Sequence, residues 1–116
     1  MSLTGEQILK ADDTGKLEKV DVPEWGGEVY VKVMNGQSRD RWELSTSKAV
    51  DAPGTANIRA SLVVACACDE TGKRLFSDGQ VAAMGQKSAI ALDRVYEVAK
   101  DINRLEDKDI EELEKN

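Results

Sequence analysis

The chain has 116 residues with 22 acidic against 16 basic side chains, a net charge of −6 and no histidine. One domain of this size buries roughly two-thirds of the surface its unfolded chain exposes, so Trp25, Tyr30, Trp42, Phe76 and Tyr96 are the large anchors of a modest core. The negative charge excludes nucleic acid and anionic membrane surfaces as partners, which need a basic field, and the missing histidine removes the commonest general base and metal ligand.

The first element is a short helix after Thr4, with Gln7 three residues on as its capping-box partner, ending near Asp12-Asp13-Thr14-Gly15. Glu6 and the lack of a basic apolar leader argue against a signal peptide, no apolar run nears the roughly 20 residues of a membrane span, and the expected location is the cytosol. Residues 17–22 alternate imperfectly and stop at Pro23, which cannot donate to a ladder. After a turn at Gly26-Gly27, residues 28–34 form the cleanest strand, with Val29, Val31 and Val33 on one face. The two strands predict a hairpin around Trp25.

Asn35-Gly36-Gln37-Ser38 ends that strand and caps a peripheral helix over residues 39–49, whose thin apolar face leaves Trp42 to pin it. Asp51-Ala52-Pro53-Gly54 is the strongest loop signal. Residues 58–68 are small or β-branched and apolar, and we assign them as a strand buried on both faces, with a helix over 58–67 as the competing reading. A turn at residues 69–73 and a short return at Arg74-Leu75-Phe76 complete a second hairpin. Ser77 and Gln80 begin a short helix to Met84, and Ser88 opens the longest one, where Leu92, Val95, Ala99 and Ile102 recur at three and four.

From residue 101 onward seven carboxylates face three bases, so −4 of the charge sits in the last sixteen residues. The expected organisation is a single α+β domain over 1–106, a small antiparallel sheet of hairpins with helices packed on one face and the long helix near its end. Residues 107–116 form a short acidic helix or tail.

Candidate chemistry is sparse. Cys66 and Cys68 are too close for an ordinary disulfide and lack further soft ligands for zinc, so they read as small buried hydrophobes. Asp12-Asp13 and the Asp107, Asp109, Glu111, Glu112 cluster lack the spacing and central glycine of a calcium loop. Gly26-Gly27 opens no helix and precedes no Lys-Ser/Thr, which excludes a phosphate loop. We therefore predict no catalytic, cofactor or metal site, and no enzyme. The candidate partner-binding residues are Trp25, read as packed on the hairpin or as an exposed anchor, and Ile110 with Leu113, read as a frayed tail or as a docking stripe.

Two blocks carry more. Val63-Val64-Ala65-Cys66-Ala67-Cys68-Asp69-Glu70-Thr71-Gly72, continuing through Arg74-Leu75-Phe76-Ser77-Asp78 to Gly85-Gln86-Lys87-Ser88 and Ala91-Leu92-Asp93-Arg94-Val95-Tyr96, is one; Val22-Pro23-Glu24-Trp25-Gly26-Gly27-Glu28-Val29-Tyr30-Val31 is the other. In order and character they resemble the tail assembly chaperones of long-tailed bacteriophages and prophages, over roughly the whole chain, although the N-terminal half departs most from that pattern. The resemblance implies a non-enzymatic holdase that binds the tape measure protein and keeps it soluble while the tail is built, with the major tail tube protein as a further partner. It also implies a homo-oligomer in the host bacterial cytoplasm, absent from the mature virion. A structural tail or head-tail connector subunit is the alternative, and an acidic mimic that binds basic proteins is a third. In that family a programmed −1 ribosomal shift commonly yields a longer product, and Glu114-Lys115-Asn116 is compatible with a slippery A-AAA-AAC run.

Overall fold

The computed structural model describes residues 2–48 and 57–115. The loop expected at Asp51-Ala52-Pro53-Gly54, and the end of the second helix at Ala49, lie outside the described residues. In chain order the elements are α1 (Gly5–Lys10), β1 (Leu17–Val22), a 3-10 turn (Pro23–Trp25), β2 (Gly27–Lys32), α2 (Gly36–Lys48), α3 (Asn57–Cys66), β3 (Ala67–Cys68), a 3-10 turn (Asp78–Gln80), α4 (Val81–Met84), α5 (Ala89–Ile102) and α6 (Asp107–Lys115).

Local signals place most of these boundaries. Thr4 Oγ1 accepts from the Gln7 amide at 3.2 Å while Gln7 Oε1 accepts from the Thr4 amide at 2.9 Å, closing the capping box of α1. Asn35 Oδ1 accepts from the Ser38 amide at 2.8 Å and starts α2; Ser88 Oγ accepts from the Ala91 amide at 3.0 Å and starts α5. Gly26, at a φ of 78°, turns the chain out of the Pro23–Trp25 turn into β2, a conformation that any side chain would strain.

The sheet runs β1-β2-β3, antiparallel throughout. The register opposes Val20 to Val29 and Glu18 to Val31, so Val20, Val22, Val29 and Val31 share one face. That face is the covered one: Val20, Val22 and Val31 are buried and Val29 packs on the same cluster, whereas Lys19 and Asp21 are exposed. Helices α3 and α5 pack against each other and on β2, and α5 also crosses β1. The result is α+β with its principal helices on one side of a three-stranded sheet.

One prediction is overturned. Residues 57–66 form α3, and strand structure survives only at Ala67–Cys68, which pairs with Tyr30 and Val31. The second hairpin accordingly shrinks to those two residues and an isolated bridge between Cys68 and Arg74. Burial explains the error. Ile58, Ala60, Ser61, Leu62, Val63, Val64 and Cys66 are all buried, and a helix enclosed on nearly every side shows no 3.6-residue period to tell it from a buried strand. Its β-branched residues favour a strand by propensity alone, and packing outweighs a preference of a few tenths of a kcal/mol per residue. The turn after it forms as predicted: Asp69 Oδ1 accepts from the amides of Thr71 at 2.8 Å and Lys73 at 3.0 Å.

A single polar residue ties these layers together. Asn103 follows α5; its Oδ1 accepts from the Met34 amide at 2.8 Å, and its Nδ2 donates to the Ala99 carbonyl at 2.9 Å. Nδ2 also lies 3.5 Å from Cys66 Sγ. Asn103→Ala would leave the Met34 amide without this acceptor, so urea melts should record a loss of about 1–3 kcal/mol. A change below about 0.5 kcal/mol would mean that water replaces the side chain.

Candidate functional site

The described residues contain no grouping of three metal-ligating side chains, and none of their helices is long and apolar enough to cross a membrane. Two apolar features of the surface stand out instead, and Leu44 of α2 is exposed as well.

The first is the N-terminal arm. Helix α1 is well formed, with its capping box and an ion pair from Lys10 Nζ to Glu6 Oε1 at 2.8 Å, yet none of its residues is buried. Leu9 is 88% exposed, and Leu3 and Ile8 stand beside it in water. Six residues are too few to hold a helix alone in water.

The second place is an apolar hollow of about 150 Å³ lined by Trp25, Phe76, Gln80, Ala83, Met84 and Lys87. Three segments build it. The Pro23–Trp25 turn presents the indole, the chain returning from the Cys68–Arg74 bridge brings Phe76, and α4 adds Ala83 and Met84. Glu24 anchors the indole-bearing turn to α5: both carboxylate oxygens accept from Arg94 Nε, at 2.8 and 3.0 Å. That hydrogen bond holds the Glu24 carboxyl below its ordinary range and raises the Arg94 guanidinium. The pair is exposed, so it sets position more than stability. Leu75, next to Phe76 in the chain, and Ile90, one helical turn before Arg94, are also exposed.

Of the residues singled out from sequence, Trp25 is half-buried, packed against the core and on the wall of this hollow. Ile110 and Leu113 lie elsewhere. They belong to α6, which packs on α2; Ile110 is 8% exposed and Leu113 half-buried against the core. The start of α6 is fastened by Lys100, whose Nζ lies 2.8 Å from Asp107 Oδ1 and 5.9 Å from the centroid of the Tyr96 ring. Structure therefore groups Trp25 with Phe76 and Met84, and not with the α6 pair. The sequence does not single out Leu3, Ile8 and Leu9, because a capped helix with apolar residues reads as core until its neighbours are known.

The two thiols are free and buried. Burial pushes the Cys66 thiol up to about 12, against the lowering effect of the Asn103 side chain, and it raises the Cys68 thiol as well. Both should resist a thiol reagent in the native protein at pH 8 and react together in denaturant. The same burial sets a sign for alkaline stability. An unfolded thiol ionises near 8.5, below the folded value of about 12, so the contribution is intact below about pH 8.5 and drains as pH rises between the two values. Urea melts at pH 7 and pH 10 should show wild type losing on the order of 1–2 kcal/mol more than Cys66→Ala. Equal losses would place the thiol in contact with water.

Against known proteins, no family model and no curated protein matches the chain. Among solved structures it is similar to the bacteriophage HK97 tail assembly chaperone, with a TM-score of 0.60 and 21% sequence identity over 88% of this chain and 95% of that one. The likeness establishes the shared fold across nearly the full length of both proteins.

Proposed function

We propose that this chain is a phage tail assembly chaperone that binds the tape measure protein and keeps it soluble while the tail is assembled. The observation that carries the reading is the fold held in common with the HK97 tail assembly chaperone over 88% of the chain. Two features support it. Apolar side chains stand exposed on the α1 arm, and an apolar hollow opens beside Trp25, where an aggregation-prone client could be covered. The net charge of −6 would keep a complex soluble through mutual repulsion.

On this reading the protein is non-enzymatic, works in the host bacterial cytoplasm, is absent from the finished virion, and meets the major tail tube protein as well as the tape measure protein. Exposed apolar surface of this extent also supports self-association. Light scattering after size exclusion should show mass rising with concentration, and a strict monomer up to high micromolar concentration would remove the homo-oligomer from the account. The test of the reading itself is coexpression. The soluble fraction of the tape measure protein from the same genome should rise several-fold when this chain is present; no change across expression temperatures would overturn the proposal, and recovery of the chain in purified particles would favour a structural subunit instead.

A further inference from the structure

Between the loop before β1, the end of β2, α2, α3 and the Asp69–Lys73 turn lies a second concavity, a groove of about 320 Å³. Its lining mixes apolar residues, Leu17, Met34, Val64 and Val81 among them, with polar ones such as Ser38, Ser45 and Thr71. Its charged residues are Lys32, Arg41, Arg74 and Asp78, three cations against one carboxylate, in a protein whose net charge is −6. The excess is therefore local and opposite in sign to the rest of the molecule.

The cations are held in different ways. Arg74 is fixed, with Nη2 donating to the Val64 carbonyl at 3.0 Å and to Asp78 Oδ1 at 2.8 Å. That contact keeps the Asp78 carboxyl below its ordinary range, so it stays charged. Arg41 reaches the same carboxylate only at 3.8 Å, beyond hydrogen-bond distance. Lys32 Nζ donates to the Gly72 carbonyl at 3.2 Å; among the described residues it has no ion pair, and an ammonium carries three donors. Arg41 and Lys32 thus retain donor capacity in a groove that also presents Leu17 and Val81.

We propose that this groove binds an acidic peptide segment of a partner, seating an aliphatic side chain against Leu17 and Val81 and placing carboxylates against Lys32 and Arg41. Charge complementarity selects the occupant: the groove is a positive site in a negative surface, which steers acidic segments to it and repels them elsewhere. Its volume lies at the low end of ligand sites, suited to a side chain or two of an extended segment. The site is separate from the Trp25 hollow, sharing none of its lining residues. The inference rests on the chaperone reading only for the source of the segment, the tape measure protein, because binding itself can be measured without any client.

The probe is a fluorescein-labelled synthetic peptide alternating Glu or Asp with Leu, titrated by anisotropy into the full chain, with a Lys-Leu peptide of equal length as the control. Binding of the acidic peptide alone is expected, at least tenfold weaker in 0.5 M salt than in 0.05 M. Lys32→Gln and Arg41→Gln should each weaken it several-fold, and Arg41 is exposed enough that its replacement leaves the fold intact. Equal affinity for both peptides, no binding by the acidic one, or displacement by millimolar inorganic phosphate would overturn the proposal, the last by making the groove a simple anion site. Client solubilisation that persists without peptide binding refutes the groove alone. Peptide binding without solubilisation refutes the chaperone reading alone.

Discussion

Trp42→Ala is expected to destabilise the protein by about 3–5 kcal/mol, the range for deleting a large buried aromatic. Trp42 is 3% exposed on a mostly polar helix whose other large apolar residue, Leu44, is exposed, with Arg39, Asp40, Arg41, Glu43, Ser45 and Thr46 around it. Its Nε1 donates to Ser61 Oγ at 2.9 Å, and Ser61 Oγ in turn donates to the Ile58 carbonyl at 2.9 Å, so one side chain fastens α2 to α3 through packing and a buried hydrogen bond. Because α6 packs on α2, hydrogen exchange should reveal both helices loosening together. Trp42→Phe separates the two contributions: most packing is kept while the Ser61 bond is lost, for about 1–2 kcal/mol. Urea melts followed by circular dichroism measure both variants. A loss under 1 kcal/mol for the alanine variant would mean that α2 is held by something other than its tryptophan.

Leu92→Ala should cost about 2–5 kcal/mol. Leu92 lies in the middle of the apolar stripe of α5, beside buried Ala91, Val95, Tyr96 and Ala99, and α5 packs on α3, β1 and β2 at once. The three facing elements come from distant parts of the chain, so a cavity there has little freedom to collapse. Denaturant melts again decide, and a loss below 1 kcal/mol would turn the stripe from core into a partner-facing surface.

What could be read in advance divides along the range of the interactions involved. The capping residues Thr4 and Ser88 act over three residues, and the helix starts read from them agree with α1 and α5, whereas Asn35 caps a helix that begins at Gly36, three residues before the expected start at 39. The Val29 and Val31 face of the hairpin is equally legible, since a two-residue period survives wherever one side of a sheet is exposed, whereas residues 17–22 alternate only imperfectly. Helix α3 is not legible. It is covered by α2, α4 and α5, which erases the polar face that would have marked its period. The role of Asn103 is hidden from the sequence for a related reason: its partners, Met34 and Cys66, are far from it along the chain. At the candidate site, Trp25 could be picked out as a rare aromatic beside a proline, whereas Phe76 and Met84 join it only through the three segments that meet there. The isolation of Leu3, Ile8 and Leu9 is a property of what is missing around α1, and sequence pattern carries no sign of it.

The central claim is that exposed apolar surface on a folded, acidic domain shields the tape measure protein from aggregation. Its most direct measurement is light scattering as that protein is diluted from denaturant into buffer with the wild-type chain, or with a variant carrying Ile8→Ser and Leu9→Ser. Neither side chain is buried, so the variant should melt like wild type. The account predicts that wild type suppresses scattering at near-equimolar ratio and that the variant protects several-fold less well. Suppression equal to wild type by the variant, or scattering unaffected by either protein, would contradict it.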